Sequence, residues 1–231
     1  MIPLRSVVVE NFREISKGYE GEVPWMYLDT HVPPLVTVAV GNLIDPVSEA
    51  LKLPFVHEDG TRASMGEIAA EWQTIKQHTE LAHQGYLRAK AFCKLHLTDD
   101  AIDSLVREKL AANWTFMCGK YSCFANAASW PAAAQLAASL MAWAVGAGFP
   151  GIFKNWAVQA AQQNWGEQIV GADGKPTGKY TGCAGTCWIN ATNNPGVIPR
   201  NKANIGLFLL AGLQAPEDYN QLHIGEIDWA P

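Results

Sequence analysis

Two carboxyl side chains and a threonine hydroxyl stand at a spacing that acid–base chemistry could use. Glu20 and Asp29 lie nine residues apart in YEGEVPWMYLDT, and Thr37 opens TVAVGN eight residues later. Helical neighbours are three or four residues apart, so these two acids cannot share a helix face. If they act together, a bend must bring them together. One carboxyl could then act as a general acid and the other as a general base.

The surroundings of the two acids differ, and the difference suits a division of roles. Glu20 is followed by Trp25 and Tyr27, an apolar setting that favours a neutral acid, whereas Asp29 stands in a polar turn that favours a carboxylate. Hydrolysis of a glycosidic bond needs such a pair, with one acid at the leaving oxygen and one carboxylate acting on water or on the sugar. The hydroxyl of Thr37 would position that water.

A helix and a small sheet must hold these residues. Apolar side chains recur at helical spacing over residues 4–18, which predicts an amphipathic helix that ends at Gly18. Prolines exclude a helix interior over residues 24–42, where two β-rich runs flank a Pro-Pro turn and predict a hairpin or small antiparallel sheet. Glu20 and Asp29 would lie at the junction of helix and sheet, which is a natural cleft.

The rest of the chain carries the start and stop signals of helices. Ser64 and Glu67 predict a capping box, and Pro131 opens an Ala-rich run that Gly146 closes. Residues 171–187 are rich in Gly, Thr and Lys and predict an exposed loop or ribbon. Further helices are predicted from residue 98 onward, over 155–165 and over 199–213. We therefore expect an α+β fold, mostly α, with a small β-containing lobe and a larger helical lobe around a cleft.

Composition bounds the class of protein. The 231 residues suit one large domain or two lobes, and 48% hydrophobic against 17% charged residues indicates a globular chain. No apolar run reaches the roughly 20 residues of a membrane span, and the N-terminus lacks the features of a secretory signal. A net charge of −5 without a Lys/Arg cluster argues against a nucleic-acid partner. No membrane partner is expected either.

The five cysteines leave three interpretations open. Cys118 and Cys123 form one close pair, Cys183 and Cys187 form another, and Cys93 stands apart. Separate thiols, disulfides and a four-cysteine metal site all remain, although zinc sites favour shorter spacings than these. No H-E-x-x-H motif occurs, so we expect neither a catalytic metal nor a cofactor.

The acid segment, written E-G-x5-Y-x-D-x7-T-V-x-V-G-N, resembles the active-site segment of a known enzyme family. That family is the T-even phage-type lysozymes, the muramidases of glycoside hydrolase family 24. Their pattern is a helix ending in Glu-Gly, then Tyr-x-Asp, then Thr-x-Gly-x-Gly-His. Glu20, Tyr27, Asp29 and Thr37 occupy the matching positions of this chain.

The resemblance implies a muramidase, which cleaves the β-1,4 bond between N-acetylmuramic acid and N-acetylglucosamine in peptidoglycan with inversion. It implies Glu20 as the general acid, Asp29 as the second carboxylate that orders the attacking water, and Thr37 as its assistant. Residues 134–148 resemble the central core helix of the family, and residues 195–204 resemble its late Arg-containing segment.

Substrate-binding residues are expected around this trio. Trp25, Tyr27 and Asn42 belong to the acid segment, and the late segment carries over Arg200 as a substrate-cleft or structural residue. Trp25 is the tryptophan best placed to face a sugar. Core packing is expected for most of the other tryptophans considered, which are Trp114, Trp143, Trp156, Trp165 and Trp188.

The chain also departs from the family pattern. Ala39 and Asn42 replace a glycine and the histidine of the third element, and residues 52–97 resemble an inserted loop and helix. These departures keep two alternatives open. One is a non-catalytic, peptidoglycan-binding module of the same fold, and the other is a cell-wall amidase or peptidase that uses cysteine or zinc.

We expect one lysozyme-like catalytic domain over residues 1–231, with a β lobe at about 19–60 and a helical lobe formed by 61–231 and 1–18. The expected partner is the glycan strand of peptidoglycan, with an immunity or delivery protein in the case of an antibacterial effector. A monomer is expected. Without a signal peptide, the chain would reach the periplasmic cell wall through a secretion system, as muramidase effectors of type VI secretion do, or through phage lysis, as endolysins do.

Overall fold

Helices dominate the structure, a computed structural model that describes residues 2–192 and 195–222. Helix accounts for 57% and strand for 11%, so the predicted α+β, mostly α class is confirmed. The α-helices are α1 Ser6–Glu20, α2 Val47–Ala50, α3 Met65–Gln77, α4 Tyr86–Ala89, α5 Asp99–Lys120, α6 Ala132–Val145, α7 Phe149–Ile152, α8 Lys154–Ala161, α9 Gly182–Thr186 and α10 Ile198–Leu213. The strands are β1 Val23–Leu28, β2 Val36–Ala39, β3 Asn42–Leu43, β4 Gln168–Val170 and β5 Pro176–Tyr180. None of the helices in this described part is both long and apolar enough to cross a membrane.

Two compact units divide the chain. Ser16–Glu108 forms the sheet unit, and Met1–Ile15 with Lys109–Pro231 forms the helix-rich unit. The sheet unit takes in residues 61–108 besides the predicted β lobe, because α3 and α4 pack on β1. Residues 223–231, counted with the predicted helical lobe, lie outside the described part of the chain.

The sheet of the sheet unit is antiparallel, in the order β1–β2–β3, which confirms the predicted hairpin or small sheet. Tyr27 stands opposite Thr37, and Val38 stands opposite Asn42. All four residues of the central strand β2 are buried, as expected of a strand that is covered on both faces. The register therefore places Thr37 of the acid segment directly beside Tyr27.

Helix α1 runs past its predicted end. Gly18 lies inside the helix, and the chain leaves the helical conformation at Gly21, where φ is +73°. The Gly21 N–H donates to the Lys17 carbonyl at 2.9 Å, and a glycine adopts this left-handed conformation without steric cost. The prediction of Gly18 as the helix end was wrong, because the stop lies at the next glycine. Glu20 is consequently the last residue of the helix.

Helix α3 is tied to the sheet by specific contacts. The Ser64 side chain accepts from the Glu67 N–H, and the Glu67 carboxylate accepts from the Ser64 N–H at 2.8 Å, so the predicted capping box is confirmed. Trp72 Nε1 donates at 2.9 Å to the carbonyl that follows β3. Lys76 pairs with Asp45, whose carboxylate also accepts from the first N–H of β2 at 3.1 Å. These contacts fix the end of β3 and the start of β2.

Helix α6 forms the centre of the helix-rich unit. Pro131 precedes it and Gly146, at φ +88°, follows it, as predicted. Every residue from Ala132 to Trp143 is buried, and α10 packs along the helix. A helix that is apolar on nearly every side, with Gln135 and Ser139 as its buried polar residues, is typical of such a central position.

An aromatic cluster completes the core of the helix-rich unit. Trp130 is fully buried, and its ring centroid lies 4.9–6.4 Å from those of its aromatic neighbours. These neighbours are Trp114, Phe124, Trp156 and Trp165. Core packing is thereby confirmed for most of the tryptophans that could have faced a sugar.

The predicted ribbon is present as the antiparallel pair β4–β5, whose residues are almost all exposed. Helix α9 follows β5 closely. A Cβ on Gly185 would lie 2.1 Å from the Tyr180 carbonyl oxygen, so only a glycine permits this approach of α9 to the end of the ribbon.

Candidate active site

Glu20 ends α1 and extends its carboxyl group to the turn between β2 and β3. A Cβ on Gly41 would lie 3.5 Å from Glu20 Oε2, so the carboxyl packs against the backbone of that turn. The C-terminal end of a helix is the negative end of its dipole and disfavours an acid by a few tenths of a kcal/mol, up to about 1 kcal/mol. Helix stability therefore does not account for a glutamate at this position.

The turn that receives Glu20 has a left-handed backbone. Gly41 has φ +67°, and Ala39, where the resemblance places a glycine, has φ +55°. A residue with a Cβ loses roughly 1–2 kcal/mol in this conformation. Ala39 therefore adopts a conformation that favours glycine, although its side chain is fully buried.

Asp29 closes a short loop and is fixed by that loop. Its Oδ1 accepts the N–H of His31 at 3.1 Å and the N–H of Leu35 at 2.9 Å, while Oδ2 lies 2.8 Å from His31 Nδ1. The Asp29 N–H donates to the Leu35 carbonyl at 3.0 Å. The Asp29 side chain is 21% exposed, so a small molecule can still reach a carboxylate that the backbone holds in place.

Tyr27 connects the two acids electrostatically. Burial raises the pKa of the Tyr27 phenol, and the negative charges of Glu20 and Asp29 raise it further. The Glu20 carboxyl packs on the turn that follows β2, and Asp29 accepts the N–H of Leu35, which directly precedes β2. The two acids therefore lie at opposite ends of this strand, on which Thr37 stands opposite Tyr27.

Thr37 lies on the same side of the sheet as Tyr27, since directly opposite residues of an antiparallel pair share a face. Its Oγ1 donates to the Leu35 carbonyl at 3.3 Å, and the residue is 4% exposed. A hydroxyl that donates to a carbonyl can still accept from a water molecule. Thr37 and Asp29 thus both contact Leu35, which couples their positions.

Trp25 is held by two residues that sequence reasoning missed. Trp25 Nε1 donates to the Tyr86 carbonyl at 3.0 Å, and Lys90 Nζ lies 5.0 Å from the centre of the indole ring. The Tyr86 ring also meets the edge of Tyr27, with ring centroids 6.3 Å apart. Gly85, with φ +78°, precedes this exposed tyrosine and is the one local signal that could have drawn attention to it.

Asn42 and Arg200 are both buried. Asn42 is 2% exposed, and its Oδ1 finds no hydrogen-bond partner among residues 2–192 and 195–222. Arg200 lies in α10 of the helix-rich unit and is 5% exposed. Of the two roles expected for Arg200, substrate binding or structural support, this burial fits structural support.

His57 and His78 are each paired with a single carboxylate, and the cysteines are not paired with one another. His57 lies 3.4 Å from Glu67 and His78 lies 2.7 Å from Glu80. Over the described residues, no group of three His, Cys, Asp or Glu side chains is placed to hold a metal ion. All five cysteines are free thiols. Burial raises the pKa of Cys93 and Cys187 to about 12 and that of Cys118 to about 11, and it also raises the pKa of Cys123 and Cys183.

The arrangement in the sheet unit supplies the kinds of side chain that acid–base chemistry needs. It combines the carboxyl at the end of α1, the carboxyl of the loop between β1 and β2, a phenol on β1 and a threonine hydroxyl on β2. Comparison with protein families, with curated proteins and with solved structures gives no match for this chain.

Proposed function

We propose that this chain is a muramidase, a peptidoglycan hydrolase that cuts the β-1,4 bond between N-acetylmuramic acid and N-acetylglucosamine. One arrangement carries the proposal: strand β2, with Thr37 opposite Tyr27, joins the loop that Asp29 closes to the turn that receives the Glu20 carboxyl. The order of Glu-Gly, Tyr-x-Asp and Thr along the chain supports it, as does the left-handed turn that receives Glu20. Peptidoglycan glycan strands are the corresponding partner.

The reaction follows from the roles of the side chains. Protonated Glu20 gives its proton to the glycosidic oxygen, and that oxygen leaves as the 4-hydroxyl of N-acetylglucosamine. Asp29 takes a proton from a water molecule, whose oxygen bonds to the anomeric carbon of N-acetylmuramic acid on the opposite face. The configuration inverts, and solvent returns the proton from Asp29 to Glu20. Thr37 accepts from the attacking water and orients it.

The thiol-based alternative is disfavoured by the surroundings of the cysteines. A nucleophilic cysteine needs a lowered pKa and an accessible, electropositive setting. The opposite holds here, since burial raises the thiol pKa values, with Cys183 and Cys187 fully buried.

The test compares wild type with Glu20→Gln on purified peptidoglycan, and soluble fragments are identified by mass spectrometry. Glu14→Gln, an exposed acid on the same helix, is the matched control. We expect Glu20→Gln to lose about 10²- to 10⁴-fold in reducing-end release, the usual contribution of a general acid, with its thermal unfolding retained.

Three results would contradict the proposal. If the activity of Glu20→Gln lies within tenfold of wild type, Glu20 is not the general acid. Released peptides without glycan cleavage would identify an amidase or peptidase. Binding to cell walls without any new reducing end would identify a non-catalytic glycan-binding module, the alternative that the buried, altered Asn42 favours.

A further inference from the structure

A groove of about 410 Å³ lies on the helix-rich unit, remote in sequence from the acid segment. Its walls come from the junction of α7 and α8 and from α9 with the residues that follow it. The side chains that matter to its chemistry are Phe153, Lys154, Asn155, Thr186 and Trp188.

Trp188 is much more exposed to solvent than the tryptophans that pack into the core. The side chains of Trp114, Trp143, Trp156 and Trp165 are at most 7% exposed, whereas Trp188 is 49% exposed. A tryptophan carries one of the largest apolar surfaces of any side chain, so leaving half of it in water forgoes burial that the fold obtains from the others. An exposed aromatic face in a concave site is typical of ligand binding.

The polar groups of the groove are available to a ligand. Lys154 and Asn155 make no side-chain hydrogen bond or ion pair within the described residues, and both are exposed. Thr186 Oγ1 donates to the Gly182 carbonyl at 2.8 Å, which leaves its lone pairs to accept. Among the described residues that line the groove, Lys154 alone carries a charge.

The segment that carries Trp188 is fixed by the fold. The Gly185 N–H donates to the carbonyl of Thr181 at 2.8 Å, which ties α9 to the residue that follows β5. Directly after Trp188, the Ile189 N–H donates to Asn201 Oδ1 at 2.9 Å, and Asn201 Nδ2 donates to the Ile189 carbonyl at 2.7 Å. The indole therefore stands on a backbone anchored on both sides, which lowers the entropy that binding must remove.

We propose that this groove is a second carbohydrate-binding site, which takes a β-1,4-linked N-acetylhexosamine strand bearing carboxylates. The C–H face of one sugar lies on the Trp188 indole, its hydroxyl and acetamido groups bond Asn155 and Thr186, and Lys154 pairs with a lactyl or peptide carboxylate. The choice of a cell-wall glycan rests on the proposed function. The site would hold the polymer while the acid pair cuts elsewhere on it.

Binding is measured with full-length chains that carry Glu20→Gln, so that cleavage does not enter the result. The probes are purified peptidoglycan sacculi, by co-sedimentation, and chitotetraose, by isothermal titration calorimetry. We expect Trp188→Ala to weaken binding to both at least tenfold. Lys154→Gln should weaken binding to sacculi alone, because chitotetraose has no carboxylate. Phe116→Ala, which removes an aromatic residue of similar exposure outside the groove, should change neither.

The inference is overturned if Trp188→Ala binds with an affinity within twofold of the parent chain. It is also overturned if Phe116→Ala weakens binding as much as Trp188→Ala does. An effect of Lys154→Gln on chitotetraose overturns the assigned role of the carboxylate. The two proposals fail separately. If the wild type binds through Trp188 but releases no reducing ends, the muramidase proposal is refuted and the proposed binding site in the groove stands. If the wild type cuts sacculi and the Trp188→Ala variant binds normally, only the proposed binding site in the groove is refuted.

Discussion

The carboxyl group of Glu20 packs against Gly41, with room for a methyl group between them and for little more. A Cβ on residue 41 would lie 3.5 Å from Glu20 Oε2 and 3.6 Å from its Cδ, both ordinary contact distances. Any larger side chain at residue 41 would reach the carboxyl and displace it. The turn between β2 and β3 therefore sets the position of the acid.

Substitutions of increasing size at Gly41 should distinguish the cost of a strained backbone from the displacement of the Glu20 carboxyl. Gly41→Ala and Gly41→Val both place a Cβ in the left-handed region and should lower the free energy of unfolding by at least about 1 kcal/mol. Only Gly41→Val should also slow reducing-end release, by tenfold or more. Gly60, with φ +81° and open space around it, gives the control pair Gly60→Ala and Gly60→Val. Equal rates for Gly41→Val and Gly60→Val would show that Gly41 does not position Glu20.

Asp29→Asn should separate charge from loop closure. The amide oxygen can still accept the N–H groups of His31 and Leu35, so the free energy of unfolding should change by less than about 1 kcal/mol. Reducing-end release should fall at least about 100-fold, because an amide cannot take a proton from water. Asp59→Asn is the control, since Asp59 accepts the N–H of Thr61 in the same way at 2.9 Å. A cleavage rate for Asp29→Asn near that of Asp59→Asn would exclude Asp29 as the base.

The phenol of Tyr27 should make stability fall in alkali. Burial and the two carboxyls raise the pKa of Tyr27, so above the ordinary value of about 10 the folded chain retains a proton that the unfolded chain has lost. The contribution of Tyr27 to the free energy of unfolding is fully present below that pH. Above it, the free energy of unfolding falls by up to about 1.4 kcal/mol per pH unit. Tyr27→Phe should flatten the decline between about pH 10 and 11. Unfolding curves with the same pH slope in both chains would refute this, with Tyr180→Phe of the β5 strand as the control.

The aromatic cluster should supply a large share of the stability of the helix-rich unit. Trp130 is fully buried among four other aromatic rings, so Trp130→Ala should lower the free energy of unfolding by about 3–5 kcal/mol. Trp188→Ala, which removes a half-exposed ring, should cost less than about 1 kcal/mol. Guanidinium unfolding measures both, and similar midpoints for the two variants would contradict this account.

Features with a local cause were predictable from sequence. The Ser64–Glu67 capping box needs only residues three apart, and Pro131 with Gly146 marks the two ends of α6 by backbone preference alone. Gly18 failed as a stop because a glycine is tolerated inside a helix, and the choice of Gly21 depends on how the chain enters β1.

Features that depend on distant partners were not predictable. Trp25 bonds to Tyr86, 61 residues further on, and no local pattern encodes that contact. The sequence predicts core packing for most of the tryptophans but does not show that Trp188 is the half-exposed one, because exposure depends on tertiary packing. The boundary between the two units also falls inside α1 and α5, so helix ends give no sign of it.

The closure of the loop by Asp29 has a practical consequence for engineering this chain. Asp29 and Leu35 bond each other through backbone and side chain, and residues 30–33 between them are exposed, with Val32 at 92%. Extra residues grafted at Val32 would extend into solvent, while the junction at Leu35 stays closed. Loop length adds little free-energy cost once the ends are joined, roughly 0.6 kcal/mol per doubling. An affinity tag or fluorophore could thus be carried a few residues from the carboxylate without shifting it.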